Sequence, residues 1–353
     1  MATSHPEFNE KTTATEVAQT FASNIRGKNV IITGVGPNSL GEALALAIGS
    51  QNPANLILAS RTETKVEEVA KNVREQNPGI SIAVIALNLA SQKSIRAAAS
   101  KIQGLVDRVD TLINNAGMMV LDRETTEEGI EMQFGTNHIG HFLFTNLLMA
   151  QLKNAAKASG RGSTRVVNVT SAGHRLSPIR FHDYNFEGKE VPVDERPPEG
   201  LPPMFSPTAD GYNGWLAYGQ SKTANILFTV YLTRHLATAG IVSYSVHPGS
   251  IWTGLSRGLD DAGHDTMSKT SNVWKSADQG GATMLVAAFD PALTGKFPDD
   301  YLSNNEVLDV SDPSAIYLSD CQFAKTAPHA VNMDAAERLF ELSEELVGTK
   351  FDL

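Results

Sequence analysis

"NVIITGVGPNSLGEALALAIG" runs from Asn29 to Gly49. It begins as an apolar run, passes through a glycine-rich turn and ends in helix formers. An apolar run without alternation reads as a strand covered on both faces. Glycines between such a strand and a helix let backbone N–H groups approach a pyrophosphate at the helix N-terminus. Many strand–helix turns use glycine only for its backbone freedom. The stretch therefore predicts one βα unit and leaves nucleotide binding open.

The same rhythm extends along the chain. "NLILAS" reads as a strand and "ETKVEEVAKNVREQN" as a helix ended by Pro78-Gly79. "ISIAVIA", "VDTLIN", "TRVVNVTS" and "VSYSVH" read as further strands. Helices are expected over "SQKSIRAAASKIQGL", from about Thr126 to Ala156, from about Gly214 to Ala239 and near Ser276–Ala288. A short strand "AIYLS" and a helical tail "DAAERLFELSEELVG" follow. Alternation of apolar strands and helices with short links predicts an α/β fold, a doubly wound parallel sheet of Rossmann type. Residues 1–27 read as an N-terminal extension, with a helix from Thr15 to Ile25, and 28–353 as a single domain. The composition breaks at Pro178 to Pro207, which holds seven prolines and reads as a large loop inserted near the site.

Bulk properties narrow the function. The net charge of −10 argues against a nucleic-acid or anionic-membrane surface. No apolar run approaches the ~18 residues of a membrane span. No basic-then-apolar leader opens the chain. The single cysteine, Cys321, permits no intrachain disulfide and suits a reducing compartment, so a cytoplasmic location is expected. The second strand ends in Ser60-Arg61, where a carboxylate would grip an unphosphorylated ribose. An arginine there suits a 2′-phosphate, and NADP(H) is the expected cofactor; the alternative is an exposed arginine that serves solubility.

Further motifs fall at strand ends. "INNAG" closes the fourth strand, and "TNHIGHF" follows inside a helix. "VVNVTSAGH" places Ser171 after the fifth strand, and "HPGSIWTG" follows the sixth. In "YGQSK", Tyr218 and Lys222 stand four apart, on one helical face. In this order the motifs resemble the short-chain dehydrogenase/reductase family, over about Lys28 to Gly348. "NHIGHFLFTNLL", "YLSDC" and "LFELSEELVG" resemble the subgroup of retinol dehydrogenases and WW-domain oxidoreductases, with no WW domain visible.

The resemblance implies roles position by position. Tyr218 matches the proton donor and acceptor, and Lys222 the lysine that lowers its pKa and binds the nicotinamide ribose. Ser171 matches the serine that hydrogen-bonds the substrate oxygen, and Asn137 the residue that supports the lysine through water. Gly34, Ser39, Leu40 and Gly41 match the pyrophosphate turn. Asn88 and Leu89, with Asn114, Asn115, Ala116 and Gly117, match the adenine side. Pro248, Gly249 and Thr253 match the segment at the carboxamide and pyrophosphate. The implied activity is interconversion of a carbonyl and an alcohol. Reduction of a carbon–carbon double bond on the same scaffold is an alternative, as is a nucleotide-sensing protein without turnover. Family members pair through two long helices, so a homodimer is an expectation, with the inserted loop and tail able to obstruct it.

The chain departs from the family pattern in three places. The turn "TGVGPNSLG" is one residue longer than usual, with Ser39 at the place of the middle glycine and able to offer donors to phosphate. Asn88 replaces an aspartate. Far more chain than usual separates Ser171 from Tyr218, and long loops beside a site act as lids or binding loops. Met204, Phe205, Tyr212 and Trp215, with Trp252, Leu255, Met267 and Trp274, would then close a large apolar substrate pocket. The competing expectation is that they pack the loop onto the domain. No metal is expected: His138 and His141 are three apart on a helix, but no third ligand has suitable spacing. His174 and His247 flank the site, either touching substrate or serving structure.

Overall fold

A computed structural model describes residues 2–206, 211–252, 254–255, 259–269, 271–293 and 316–353. Among these, eight strands form one sheet. They are β1 (Asn29–Thr33), β2 (Asn55–Ser60), β3 (Ile82–Ala86), β4 (Thr111–Asn114), β5 (Thr164–Val169), β6 (Ile241–His247), β7 (Tyr317–Ser319) and β8 (Gln322–Phe323). Their order is β3-β2-β1-β4-β5-β6-β7-β8. All pairs are parallel except β7 with β8. The chain winds outward from β1 to β3, then returns to β4 on the other side of β1. That reversal leaves a crevice beyond the carboxyl ends of β1 and β4, where ligands of such sheets bind.

The sheet is buried because its strands are apolar on both faces. Ile31 joins one core, while Val30 and Ile32 join the other. The helices are α1 (Ala14–Thr20), α2 (Ala22–Ile25), α3 (Leu40–Gly49), α4 (Glu63–Gln76), α5 (Gln92–Leu105) and α6 (Met132–Phe134). After a π-turn over Gly135–Ile139 come α7 (Gly140–Leu147), α8 (Met149–Ser159), α9 (Gly214–Leu236), α10 (Asp261–Ser268), α11 (Ala277–Phe289) and α12 (Met333–Val347). Helices α5, α7, α9 and α12 cover one face; α1, α3, α4 and α11 cover the other. No helix among the described residues is long and apolar enough to cross a membrane. Residues before β1 are packed: Phe8, Val17, Phe21 and Ile25 are buried in the second core, with α1 against α3 and α11.

Three local features differ from expectation. The helix expected from Thr126 starts at Met132. Thr126 N donates to Ile130 O at 2.8 Å, and Gly129 takes φ +78°, so an acidic run that looks helical closes a turn instead. The segment Asp261–Ser268 forms a helix that the sequence reading left unassigned, capped by the Asp260 carboxylate on Gly263 N–H. The last strand is followed by β8 through a two-residue turn, with Asp320 (φ +51°) and Cys321 (φ +65°) in the left-handed region.

Candidate active site

The crevice opens into a cavity of ≈ 680 Å³ that runs along the β1–β4 switch point. Its floor is the turn after β1. Gly34 has φ +76°, and a Cβ there would lie 2.6 Å from Ala116 Cα. A Cβ on Gly41 would lie 2.5 Å from Gly34 O. Both glycines are therefore steric requirements of the turn. The extra residue is accommodated with Asn38 at φ +57°, a conformation asparagine tolerates. Ser39 caps α3: its Oγ accepts Glu42 N–H at 3.2 Å and donates to Gly36 O at 2.6 Å. The hydroxyl donor expected to face phosphate is thus committed to the turn itself.

The expected cofactor residues divide by position. Gly34, Ser39, Leu40 and Arg61 line one end of the cavity. Leu89, Asn115, Ala116 and Gly117 line one flank, and Pro248 and Gly249 the other. Gly41 lies beneath the turn. Asn88 is outside the cavity wall, with its Oδ1 accepting Ala90 N–H at 3.2 Å. Thr253 lies outside the described residues. Lys65, one turn into α4, lines the Arg61 end and was missed by the sequence reading. The available signal was its place in the first turn of the helix that follows Arg61.

Ser171, Tyr218 and Lys222 meet at the other end. Ser171 follows β5, and its Oγ accepts Gly173 N–H at 3.1 Å. Tyr218 and Lys222 lie on α9, which Asn213 starts by accepting Trp215 and Leu216 N–H. Tyr218 is 7% exposed. Burial pushes its pKa up to about 12, and a hydrogen bond with Ser171 pulls the other way. Burial pushes Lys222 down to about 8. Its Nζ donates to Val169 O at 3.2 Å and lies 5.5 Å from the Tyr218 ring centroid. The expected lowering of the tyrosine pKa by this lysine is therefore not what sets it in this structure; desolvation dominates. A Cβ on Gly173 would press on the Tyr218 ring at 3.1 Å, so the small residue lets the ring seat.

Asn137 is fully buried behind this end, in the π-turn. Its Oδ1 accepts Met118 N–H at 2.8 Å, and its Nδ2 donates to Met118 O and Ser221 Oγ, each at 3.0 Å. His141 Nδ1 donates to Asn137 O at 3.0 Å. The other ring nitrogen, Nε2, then accepts the Thr33 hydroxyl at 2.9 Å. Burial holds His141 neutral, with its pKa down at about 4. His138 instead pairs with Ser343 Oγ at 2.9 Å. His247 lines the cavity and accepts Ala172 N–H at 3.3 Å, whereas His174 is buried behind Ser171.

The apolar residues of the inserted loop and of the segment after β6 split between the two expectations. Phe205, Trp215, Leu255 and Met267 line the cavity near Tyr218, beside Met118 and Met119. Tyr212 packs the loop down, with its hydroxyl donating to Glu131 Oε1 at 3.1 Å. Met204 is exposed. Trp252 and Trp274 stack on each other at 4.4 Å and stand outside the cavity wall. Pro207, the end of the expected insertion, lies outside the described residues.

Known proteins are similar to this chain. A family profile described as short chain dehydrogenase matches residues 28–185. Retinol dehydrogenase 13 of Homo sapiens is 36% identical over 92% of this chain and 86% of its own. Oxidoreductase fscI of Fusarium equiseti is 39% identical over 69% of this chain and 95% of its own. Among solved structures, an uncharacterised protein from Mycobacterium paratuberculosis superposes with a TM-score of 0.61 at 27% identity, covering 93% of this chain and 96% of that one. The chain is an oxidoreductase fold built around a nicotinamide-dinucleotide crevice, and it belongs to the short-chain dehydrogenase/reductase family, in the subgroup of the retinol dehydrogenases.

Proposed function

We propose that this chain is an NADP(H)-dependent oxidoreductase that interconverts a carbonyl and an alcohol on an apolar substrate. One observation carries the reading. Ser171, Tyr218 and Lys222 open into the same cavity as Gly34, Arg61 and Lys65. The cavity suits a dinucleotide: Gly34, Gly36 and Ser39 line it where α3 begins, and backbone N–H groups there would hold a pyrophosphate. When bound, the nicotinamide dinucleotide supplies or accepts the hydride.

The chain's own residues manage the oxygen and its proton. Tyr218, with its pKa at about 12, is protonated at neutral pH and in the state to donate during reduction. Ser171 stabilises charge developing on the same oxygen. Lys222, whose Nζ donates to Val169 O beside Gly117, would hold the nicotinamide ribose while it is protonated. Asn137 fixes the Met118 backbone that forms the adjacent wall. At the other end, Arg61 is exposed and has no described hydrogen bond or ion pair, so it is available to a phosphate, with Lys65 beside it. The wall around Tyr218 is formed by Met119, Trp215, Leu255 and Met267, which favours an apolar substrate.

Titration with NADPH and NADH, followed by tryptophan quenching, tests the cofactor. One charge-assisted phosphate contact is worth about 1.5–3 kcal/mol, so NADPH is expected to bind roughly ten- to a hundredfold more tightly. Equal affinities or the reverse order overturn the Arg61 assignment. Tyr218→Phe tests the chemistry, with an alcohol expected as the wild-type product from a carbonyl. The variant should bind cofactor normally and lose turnover; retention of more than about a tenth of the wild-type rate refutes the proton-donor role.

A further inference from the structure

Ser171 begins a short 3₁₀ turn, Ala172–Leu176, and His174 lies within it, fully buried. His174 Nδ1 is 2.7 Å from Ser171 O. A carbonyl only accepts, so Nδ1 carries the hydrogen. Nε2 is then the acceptor, and two donors meet it: Ala327 N–H and Arg175 Nη1, each at 3.0 Å. Both nitrogens of a neutral ring are therefore occupied, and their roles follow from their partners. Burial pushes the His174 pKa down to about 3, in keeping with a ring that stays neutral. Arg175, His329 and His247 are the titratable groups around it, and Tyr317 meets the ring edge-on at 5.4 Å.

The turn is also gripped through its backbone. His174 O accepts Thr223 Oγ1 and His329 Nε2, each at 2.9 Å. Thr223 follows Lys222 on α9, while His329 and Ala327 belong to the segment between β8 and α12. Arg175 Nη2 adds a bond to Lys325 O at 2.6 Å. The carboxyl-terminal segment thus closes on the back of the turn whose front presents Ser171 to Tyr218. Rotation of the Ser171 peptide would break the His174 bond and swing the Oγ that caps Gly173.

We propose that His174 is a positioning residue: its Nδ1–H pins the Ser171 carbonyl, while its Nε2 anchors that pin to the carboxyl-terminal segment at Ala327. The inference rests on the reading of Ser171 given above. Loss of the pin is expected to lower kcat on the order of tenfold or more, since misplacement of a reacting group by about an ångström has effects of that size. The affinity for NADPH should stay unchanged, because His174 does not line the cavity.

Three variants separate positioning from bulk packing. His174→Asn keeps an N–H at the Nδ1 position. His174→Gln reaches the Nε2 position but leaves Ser171 O only the longer bond from the His174 backbone N–H at 3.1 Å. His174→Ala loses both. Carbonyl reduction is measured for kcat and KM, NADPH affinity by quenching, and stability by melting. The expected result is that kcat follows the Nδ1 donor: Asn recovers most of the activity, whereas Gln resembles Ala even where Gln melts higher. The Asn–Gln comparison carries the test if the alanine variant does not fold. A kcat that follows melting temperature across the series overturns the inference, as does a glutamine variant as active as asparagine. In a Ser171→Ala background, His174→Gln should cause no further loss of kcat; an equal loss in both backgrounds indicates a structural role only. If Ser171→Ala alone keeps wild-type kcat, the reading of the reaction itself fails. If Ser171→Ala is impaired while the His174 series follows stability, only this inference falls.

Discussion

Glu131 offers a test of the buried scaffold that depends on no substrate. Its carboxylate is fully buried at the start of α6, accepting Phe134 N–H at 2.7 Å and the Tyr212 hydroxyl at 3.1 Å. Burial pushes its pKa up to about 7, against the pull of backbone N–H groups, Tyr212 and the more distant Arg123. The sign follows from linkage. A folded pKa raised above the unfolded value of 4.5 means that the folded state holds the proton more tightly. Stability from this group is complete below pH 4.5 and is lost as pH rises through about 7. A difference of about 2.5 units at 1.36 kcal/mol per unit gives a total of roughly 3 kcal/mol, most of it lost between about pH 5 and about pH 8. Glu131→Gln removes the ionisation and keeps an amide of similar shape. Urea unfolding of both proteins across that range should show the variant gaining roughly 2–3 kcal/mol relative to wild type from the acid to the alkaline end. A difference that stays flat with pH would refute the raised pKa. A difference of opposite slope would mean that hydrogen bonds to the carboxylate outweigh its desolvation.

Two further outcomes are expected. Gly41→Ala forces a Cβ to within 2.5 Å of Gly34 O and 2.8 Å of Val35 Cα, both backbone atoms, and should destabilise by about 1–3 kcal/mol. Gly36→Ala, whose Cβ would meet nothing within 4 Å, should leave the melting temperature nearly unchanged, and thermal melting of the pair checks both. Arg61→Ser should weaken NADPH binding roughly tenfold or more while sparing NADH, and quenching titrations would expose the error if both cofactors weakened alike.

The sheet was legible because most of its buried parallel strands are apolar runs, as "NVIIT" and "NLILAS" show; "VSYSVH" alternates, and its buried Ser243 and Ser245 are hydrogen-bonded. The Tyr218–Lys222 pair was legible because four residues bring side chains onto one helical face. The start of α6 was not. "ETTEEGIE" has the composition of a helix, and only the Thr126–Ile130 hydrogen bond, made around Gly129, turns it into a loop. Apolar side chains in the inserted loop were visible, yet residue type does not distinguish Phe205 in the cavity from Met204 in solvent. Long-range polar contacts were hidden for a different reason. His174 meets Ala327 across 153 positions, and Thr33 meets His141 across 108. No periodicity encodes such a pairing, because it depends on where the sheet and tail bring separate segments.

The Thr33–His141–Asn137 chain shows why those hidden contacts matter to the site. Thr33 Oγ1 accepts Asn115 and Ala116 N–H, each at 3.0 Å, and gives its own proton to His141. His141 passes a donor to Asn137 O, and the Asn137 side chain holds both polar groups of Met118. One short path therefore joins the end of β1, the segment after β4 and the π-turn. Each member is buried, so each unpaired group would cost about 1–3 kcal/mol. Sliding one segment past another would break several bonds together. The positions of the pyrophosphate turn and of the wall beside Lys222 are thereby coupled through hydrogen bonds of fixed direction. Apolar packing alone would hold these segments close without fixing their register.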